Sequence, residues 1–376
     1  VPNLRFKGFE GEWEKKKLGE MVRNISSGKS TDKNIGGENP FYGSTGIIAY
    51  SNQFDYSGEK ILIARVGANA GSLYKVSGNY SVSDNTLILD LKDEIEIDFA
   101  YNYLIKKNLN KLVFGSGQPL ITGGQLKLLE LFFPSINEEI KIADFLSVCN
   151  ARIQTQNKII EELKLLKAEI SKKVFTQQLR FKDDKGNNFG DWALKKLGEI
   201  TVAVNKRNKN NEKLPVYSIN NKLGFVPQDE QFEGIDSEER GYDITLYKII
   251  DRHTFAYNPA RINIGSIGYS GDLGNIIISS LYVCFKTTSD VNDDFLFQYL
   301  KTDLFNKEVL KSVEGGVREY LFYENFSKIK LNLPCREEQM KIAAFLSTID
   351  KKTEFETTIL NLYTKQKQYL LQQMFI

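Results

Sequence analysis

The sequence is poor in the side chains that metal and disulfide sites require. Its 376 residues include one histidine, His253, and three cysteines, Cys149, Cys284 and Cys335. The cysteines lie too far apart for a C-x-x-C metal pair, and no second imidazole is available to complete a histidine-based zinc site. An odd cysteine count argues against a disulfide framework and fits a reducing compartment. We therefore expect no metal site in this chain and predict a cytoplasmic location.

Long apolar segments are also missing. The longest strongly apolar stretch, at 276–285, contains two serines and is far shorter than the ~20 residues that span a bilayer. The first residues include Arg5, Lys7 and Glu10 instead of the apolar core of a secretory signal. We expect neither a membrane helix nor a secretory signal.

Composition and charge are ordinary. The chain is long enough for two domains of ~100–200 residues. Its apolar share of 41% and charged share of 26% are typical of globular proteins. Lysine and arginine number 50 against 48 acidic residues, and the pI of about 8.2 falls below the ~9 typical of a nucleic-acid-binding domain. A DNA site would have to come from local clustering of basic and polar residues.

The sequence contains a tandem repeat with similar ends and divergent interiors. The octapeptide WEKKKLGE at 13–20 returns as WALKKLGE at 192–199, with six of eight residues identical. The segment 134–149 returns at 334–349 with eight of sixteen residues identical, starting from Pro134 and Pro334. Such self-similarity indicates two copies of one structural plan.

The first part of each copy has the pattern of an α+β globule. Short apolar and β-branched runs separated by Gly, Ser, Asn and Asp predict strands. The clearest predicted strands are 60–64, 86–89, 275–278 and 281–285. Helical stretches are predicted at 98–112 and 294–310.

The second part of each copy predicts one long helix, since neither Gly nor Pro occurs at 135–185 or from 335 onwards. Each helix carries a narrow apolar stripe at 3-4 spacing, interrupted by polar residues at equivalent places. Such a stripe favours packing of one long helix against the other. The residues predicted to form this seam are Leu146, Ile153, Ile160, Leu163, Ile170, Val174, Leu346, Ile349, Leu360, Tyr363, Leu370 and Met374. The alternative is two amphipathic helices, each packed on its own globule.

Connection length predicts how the helices pair. The first helix is ~57 Å long at 1.5 Å per residue, whereas its linker to the second globule reaches at most ~40 Å. An antiparallel pair follows, which gives an α+β fold with two globules separated by a two-helix coiled coil, arranged as a pseudo-two-fold tandem repeat. The predicted limits are globule one at 1–134, central helix at 135–179, linker at 180–191, globule two at 192–334 and C-terminal helix at 335–376.

Three sequence features together resemble the specificity subunit of type I restriction-modification systems. They are the two W-x-x-(x)-K-K-L-G-E openings, the helix start PCREEQMKIAAFL at 334–346, and the segment FAYNPARINIGSIG at 255–268. The first helix departs from the family pattern, because it carries Glu138-Glu139 where the family has a Glu-Gln pair.

The resemblance implies a non-catalytic subunit that binds a bipartite DNA target with a fixed, unread spacer. It also implies two modification subunits, which methylate adenine with S-adenosylmethionine, and restriction subunits, which use ATP and Mg for cleavage. The alternatives are a stand-alone DNA-binding or scaffold protein and an enzyme with a fused methyltransferase.

Three short motifs imitate catalytic signatures without their essential parts. The triplet 28–30, GKS, has Arg23 where a phosphate loop needs glycine, and NPAR at 258–261 lacks the second proline and the aromatic of an adenine-methyltransferase motif. The nuclease-like triplet ELK at 162–164 lies on the predicted helix, where alternating charges usually form a solvated face. We predict that this chain performs no chemistry.

Polar turns in the two globules are the candidates for DNA contact, because base edges and phosphates are read by Arg, Lys, Asn, Gln, Ser and Thr. The turns at 115–118 and 315–318 are favoured, since each begins 19 residues before its helix motif, and the basic stretch 205–213 suits phosphate contact. The candidate residues are Lys29, Ser44, Thr45, Arg65, Asn69, Ser116, Gln118, Lys206, Arg207, Lys209, Asn220, Asn221, Lys222, Arg261, Asn263, Arg318 and Tyr320.

Overall fold

A computed structural model describes residues 1–31, 35–115, 119–228, 243–313 and 320–376. The chain divides into two compact units. Unit 1 comprises Val1–Ile159 and Glu356–Ile376, and unit 2 comprises Ile160–Phe355. Two long helices, α4 (Ile136–Phe175) and α9 (Arg336–Met374), each contribute one segment to each unit. The predicted long helices are confirmed.

Within the described residues, the remaining elements of unit 1 are ten strands and three short helices. The strands are β1 (Glu14–Lys17), β2 (Val22–Ser27), β3 (Ile35–Gly43), β4 (Gly46–Ser51), β5 (Tyr56–Ser57), β6 (Lys60–Ala64), β7 (Leu73–Val76), β8 (Asn79–Val82), β9 (Thr86–Leu91) and β10 (Glu130–Phe133). The helices are α1 (Leu18–Met21), α2 (Ile97–Lys107) and α3 (Gly123–Lys127), with a 3-10 turn at Leu109–Leu112.

Among its described residues, unit 2 has the same succession of strands. The strands are β11 (Ala193–Lys196), β12 (Thr201–Val204), β13 (Val216–Asn220), β14 (Gly224–Pro227), β15 (Lys248–Ile250), β16 (Phe255–Tyr257), β17 (Ile267–Tyr269), β18 (Ile276–Ile278), β19 (Val283–Thr287) and β20 (Lys330–Leu333). The helices are α5 (Leu197–Ile200), α6 (Asp293–Leu300), α7 (Asp303–Ser312) and α8 (Tyr323–Phe326), with 3-10 turns at Ile244–Leu246 and Ile262–Ile264.

The two units share one sheet topology. Each has an antiparallel ribbon, in the order β1-β10 and β11-β20. An antiparallel sheet follows, in the order β2-β9-β6-β7 and β12-β19-β16-β17. The third sheet has the order β4-β3-β8-β5 and β14-β13-β18-β15, and its central pair is parallel in both units. The interiors therefore kept one fold while their sequences diverged.

Strand predictions were right where an apolar run is buried, and less accurate at the ends. β6 has the predicted limits, and its last four residues are buried on both faces. The predicted strand 281–285 begins later, at Val283, because Leu281 lies in a turn with 78% of its surface exposed. Apolar character alone did not distinguish the turn residue from the strand.

Both helices predicted inside the globules are interrupted. In unit 1 the break is Asn108, whose φ of 53° ends α2, and Asn is among the few residues that adopt this left-handed conformation readily. In unit 2, α6 ends at Leu300, and the side chain of Thr302 caps the new helix α7 by accepting the N–H of Phe305. Local capping overrides the apolar periodicity at both places.

Each unit closes its core with segments of both long helices. In unit 1 the ring of Phe375, which follows α9, lies 4.8 Å from Tyr103 and 5.1 Å from Phe99 of α2. In unit 2 the ring of Phe175, at the end of α4, lies 5.5 Å from Phe295 of α6. The globules and the helices therefore form continuous hydrophobic cores.

The long helices are antiparallel within unit 1. The guanidinium of Arg152 lies over the ring of Tyr363, and the amide of Gln156 donates to the carboxylate of Glu356. The residue numbers of the contacting residues fall along α9 as they rise along α4, so the two helices run in opposite directions. In unit 2 the helices are joined by an ion pair between Lys167 and an aspartate of α9. The alternative of helices packed only on their own globules is wrong.

All twelve predicted seam residues are buried or half-buried. Leu146 and Leu346 are fully buried and belong to the hydrophobic cores of the two units, whereas Ile153 and Leu163 are half-buried. The predicted domain limits stay a prediction.

Neither a membrane span nor a metal cluster is found in the described part of the chain. No helix there is long and apolar enough to cross a membrane. No group of three or more His, Cys, Asp or Glu there is suited to a metal ion.

Candidate nucleic-acid interface

Most candidate DNA-contacting residues lie on four connecting segments, A to D, that both units possess. In unit 1 these are segment A at 28–31 after β2, segment B at 44–45 between β3 and β4, segment C at 65–72 between β6 and β7, and segment D at 119–122 before α3. In unit 2 they are segment A at 205–215 after β12, segment B at 221–223 between β13 and β14, segment C at 258–266 between β16 and β17, and segment D at 320–322 before α8. Candidates chosen from separate turns thus occupy equivalent places.

Segments B, C and D of unit 2 lie side by side. The hydroxyl of Ser266 in segment C donates to the carbonyl of Ile219, just before segment B, over 3.1 Å. Gly265 has a φ of 85°, and a Cβ there would lie 3.6 Å from the carbonyl oxygen of Asn221. The N–H of Leu321 in segment D donates to the carbonyl of Pro259 over 3.0 Å. The three segments therefore form one continuous loop surface.

Unit 1 assembles the same surface through different contacts. The hydroxyl of Tyr74 donates to the carbonyl of Ser44 over 3.2 Å, which holds segment B on β7. Burial raises the pKa of Tyr74, so this hydroxyl keeps the proton that it donates. Segment D joins segment C through the N–H of Ile121, which donates to the carbonyl of Arg65 over 2.9 Å.

Several candidate side chains on this surface face solvent. Five of these side chains are exposed, namely Thr45, Asn69, Asn221, Lys222 and Arg261. Arg65 and Asn263 are half-exposed. Within the described ranges, none of these seven side chains makes a hydrogen bond or ion pair to the protein. Their donors and acceptors are therefore available to a ligand such as a base edge.

Asn220 has a structural task as well. Its side-chain oxygen accepts the N–H groups of Lys222 at 2.8 Å and Leu223 at 3.1 Å, and so holds the turn of segment B. Asparagine commonly stabilises turns in this way. The side chain therefore positions Lys222, and a DNA contact by Asn220 stays a prediction.

The basic candidates of segment A lie elsewhere in their units. The N–H of Lys29 donates to the hydroxyl of Tyr56 in β5, and the carbonyl of Lys206 accepts the N–H of Ile249 in β15. Lys206 also pairs with Asp251 at 3.4 Å, although both side chains are largely exposed, so the pair adds little stability. Arg207 and Lys209 are exposed on the same segment. Segment A thus presents positive charge beside β5 and β15 instead of beside segments B to D.

Three of the favoured candidates cannot be placed. Ser116, Gln118 and Arg318 lie outside the described residues. Tyr320, the first described residue after Arg318, stacks on Phe322 with ring centroids 5.7 Å apart and planes 6° apart. Phe322 is 52% exposed.

Sequence reasoning missed the apolar part of this surface. Leu223 in segment B and Ile264 in segment C are 76% and 59% exposed, and Phe322 in segment D is the third such residue. Exposed apolar side chains at loop tips can contact thymine methyl groups or wedge between base steps. An apolar residue inside a polar turn was the available signal, but only the fold shows that the three turns meet.

Family and fold comparisons agree with this arrangement. The family model for the type I restriction modification DNA specificity domain matches residues 10–165 and 190–363. The EcoprrI specificity subunit of Escherichia coli is 32% identical over 149 residues, which span 38% of this chain and only 37% of that protein. The MjaVIII specificity subunit of Methanocaldococcus jannaschii is 25% identical over 380 aligned positions, which cover 92% of this chain and 88% of that protein.

Two solved structures share the fold. The S subunit of a type I restriction-modification system from M. genitalium superposes with a TM-score of 0.63 at 20% identity, covering 100% of this chain and 99% of that one. A chain from a study of complex assembly and conformational transition in the type I system has a TM-score of 0.56 at 14% identity, covering 97% and 98%. Because the family model matches most of both units, the chain belongs to the type I restriction-modification specificity family, whose domain recognises DNA sequence.

Proposed function

We propose that the chain binds a bipartite DNA sequence, one half read by each unit, with an unread spacer of fixed length. The observation that carries this proposal is the repeated plan: segments B, C and D form the same loop surface in both units. A protein that carries two such surfaces is suited to two separated half-sites, as two-fold DNA-binding proteins are.

The two half-sites are expected to differ in sequence. Segment B carries Ser44 and Thr45 in unit 1 but Asn221 and Lys222 in unit 2. Hydroxyls accept or donate to several bases, whereas Asn pairs best with adenine and Lys with guanine. The same backbone frame therefore presents a different set of donors and acceptors in each unit.

The paired long helices are the proposed source of the fixed spacer. α4 has 40 residues, which corresponds to ~60 Å at 1.5 Å per residue. Half-sites one DNA turn apart lie ~34 Å from each other, well within that length. A helical connection also resists the changes in length that a flexible linker would allow.

We further propose that the chain directs enzymatic partners and performs no chemistry itself. Asn258, in the methyltransferase-like NPAR motif, uses its side-chain oxygen to accept the N–H of Ala260, which is the task of a turn residue. Two modification subunits, supplied with S-adenosylmethionine, would methylate adenine, and restriction subunits, supplied with ATP and Mg, would cleave DNA in the cytoplasm. The family membership and the relatives named as specificity subunits support this assignment.

Mapping N6-methyladenine tests the proposal. The full chain is co-expressed with its modification subunit, and methylated sites are read across the host genome. We expect one split motif with a constant gap. The paired substitutions Arg261→Ala with Asn263→Ala should relax base choice in one half of the motif only, by about 1–3 kcal/mol for each lost base contact.

A matched variant in the other unit completes the test. Arg65→Ala with Asn69→Ala changes the equivalent segment C and should relax the other half. Equal loss of discrimination at both halves would contradict the assignment of one half to each unit. Failure of any modification subunit to co-purify would instead favour a stand-alone DNA-binding protein.

A further inference from the structure

A cavity in unit 2 has five lysines among its twelve lining residues. It lies between the second segment of α4 and the helices α6 and α7, and its volume is about 560 Å³. The lysines on its wall are Lys164, Lys167, Lys172, Lys301 and Lys307. The wall holds only two carboxylates, those of Glu169 and Asp303. The cavity is far from neutral, although the whole chain nearly is.

Three of these lysines, all of them exposed, form no ion pair among the described residues. Lys164 pairs with Glu161 on the helix surface, and Lys167 pairs with Asp350 at 2.5 Å. Across the described residues, Lys172, Lys301 and Lys307 form no ion pair. Glu169, one of the two carboxylates, is already paired at 2.6 Å with a lysine outside the cavity.

Lys301 is held where its charge is unfavourable. Its ammonium lies 3.9 Å from the ring centre of Phe297. Loss of hydration lowers its pKa and the nearby ammonium of Lys167 lowers it further, whereas the carboxylate of Asp350, which pairs with Lys167, raises it. A further anion beside the two ammonium groups would add to the compensation that Asp350 gives.

The equivalent place in unit 1 carries fewer lysines. Thr364 and Gln372 of α9 correspond to Lys164 and Lys172 of α4, and Ile105 corresponds to Lys301, whereas Lys367 keeps the lysine of Lys167. The repeated fold therefore does not require Lys164, Lys172 or Lys301.

We propose that this cavity is a phosphate-binding site. Lysine ammonium groups bind phosphate as compact point charges, without the planar fork by which arginine recognises carboxylates. The phosphate belongs either to a free phosphorylated molecule or to the DNA backbone. The second source rests on the proposed function, and the first does not.

The first experiment titrates inorganic pyrophosphate into the full-length chain by calorimetry. Wild type should bind one pyrophosphate, and bound ligand should raise Tm. The variant Lys172→Gln with Lys307→Gln should bind about a hundredfold more weakly, since each charged hydrogen bond contributes about tenfold. The matched control, Lys158→Gln with Lys365→Gln, removes two exposed lysines of the long helices outside the cavity and should bind as wild type does.

The second experiment measures duplex DNA binding against salt concentration for the same variants. If backbone phosphates occupy the cavity, the cavity variant should lower the slope of log K against log salt by about 2. Weaker pyrophosphate binding with an unchanged slope identifies a free phosphorylated ligand. No change in either measurement, or equal changes in the control, would overturn the site. The methylation motif read through segment C tests the proposed function separately.

Discussion

The two units hold the start of their long helices with the same buried ion pair, but they complete it differently. Glu138 accepts two hydrogen bonds from Arg5, both 2.7 Å, and Glu338 accepts from Arg180 at 2.8 and 2.9 Å. In unit 2 the indole N–H of Trp192 also donates to Glu338, over 2.9 Å. The indole nitrogen of the equivalent Trp13 has no hydrogen-bond partner within the described residues.

The next residue of each helix shows a second difference. Gln339 accepts the N–H of Asn292 at 2.8 Å and donates to the carbonyl of Pro334 at 2.9 Å. Glu139 accepts the equivalent N–H, from Glu96, at 2.9 Å, but an ionised carboxylate has no proton to donate. Burial accordingly raises the pKa of Glu139 to about 7. At the start of the long helix, the indole N–H of Trp192 and the side chain of Gln339 are thus hydrogen-bonded in unit 2, whereas the indole N–H of Trp13 in unit 1 has no partner among the described residues.

The largest effect is expected from removing the buried carboxylates. Glu338→Ala leaves the Arg180 charge unpaired and the Trp192 N–H unsatisfied, which should cost about 3–5 kcal/mol of stability in unit 2. Glu138→Ala should cost about 1 kcal/mol less in unit 1, because Trp13 makes no bond to lose. Hydrogen exchange resolved by unit measures both. Equal losses would mean that the hydrogen bond from Trp192 to Glu338 contributes nothing to stability. The control is Glu338→Gln, which keeps an acceptor for that bond.

The second largest effect is expected in the pH dependence of the stability of unit 1. A folded-state pKa of about 7 against an ordinary 4.5 means that folded unit 1 binds the Glu139 proton more tightly than the unfolded chain does. Stability should therefore be greatest below pH ~4.5 and fall by up to about 3 kcal/mol as pH rises to 7, then level off. Glu139→Gln should remove this contribution and stabilise unit 1 at pH 8.

The reciprocal substitution is the control for that prediction. Gln339→Glu should introduce a similar loss of stability with rising pH into unit 2. Denaturant unfolding at pH 5 and pH 8 measures both variants. An unchanged pH profile for Glu139→Gln would show that another group carries the dependence.

The third prediction compares the polar interruptions of the long helices. Gln156 and Glu356 are equivalent positions of the repeat, and they meet in unit 1, both less than 8% exposed. Gln156→Leu should cost about 2 kcal/mol, because it removes a buried hydrogen bond to a charged group. Lys167→Met breaks the partly exposed pair with Asp350 in unit 2 and should cost less than about 1 kcal/mol.

A double-mutant cycle sharpens this comparison. Gln156→Leu with Glu356→Leu should recover part of the loss, since two apolar partners leave no buried group unpaired. Urea unfolding supplies the four free energies. Additive losses would show that the two side chains do not interact, and the position would then have no special part in fixing the helix register.

Local and repeated signals made much of this fold predictable. β6 followed from a short apolar run, and the long helices followed from the absence of Gly and Pro. The Arg5 and Arg180 anchors were missed, although LRFK stands at both 4–7 and 179–182. The repeat of these four residues was visible in the sequence. Its structural role was not, because each arginine binds a glutamate far away in the sequence.

The candidate interface was predictable only as separate turns. Strand pairing between distant segments brings Asn221 beside Gly265, and no local pattern encodes that contact. The sequence showed that Glu139 stands where the second copy has Gln339. The protonation of the Glu139 carboxyl, however, depends on its burial and on the N–H of Glu96, which only the folded chain supplies.

The smallest effect is expected in the ribbons that open the two units. Lys17 lies opposite Glu130 in unit 1, whereas Lys196 lies opposite Lys330 in unit 2. Like charges directly across an antiparallel pair destabilise it, so Lys330→Glu should stabilise unit 2 by about 0.5 kcal/mol. Glu130→Lys should destabilise unit 1 by a similar amount. Because exposed charges are screened, both effects should shrink in urea unfolding at ~1 M salt. A gain that persisted at high salt would have to come from packing, and the ribbons would then not differ through their charges.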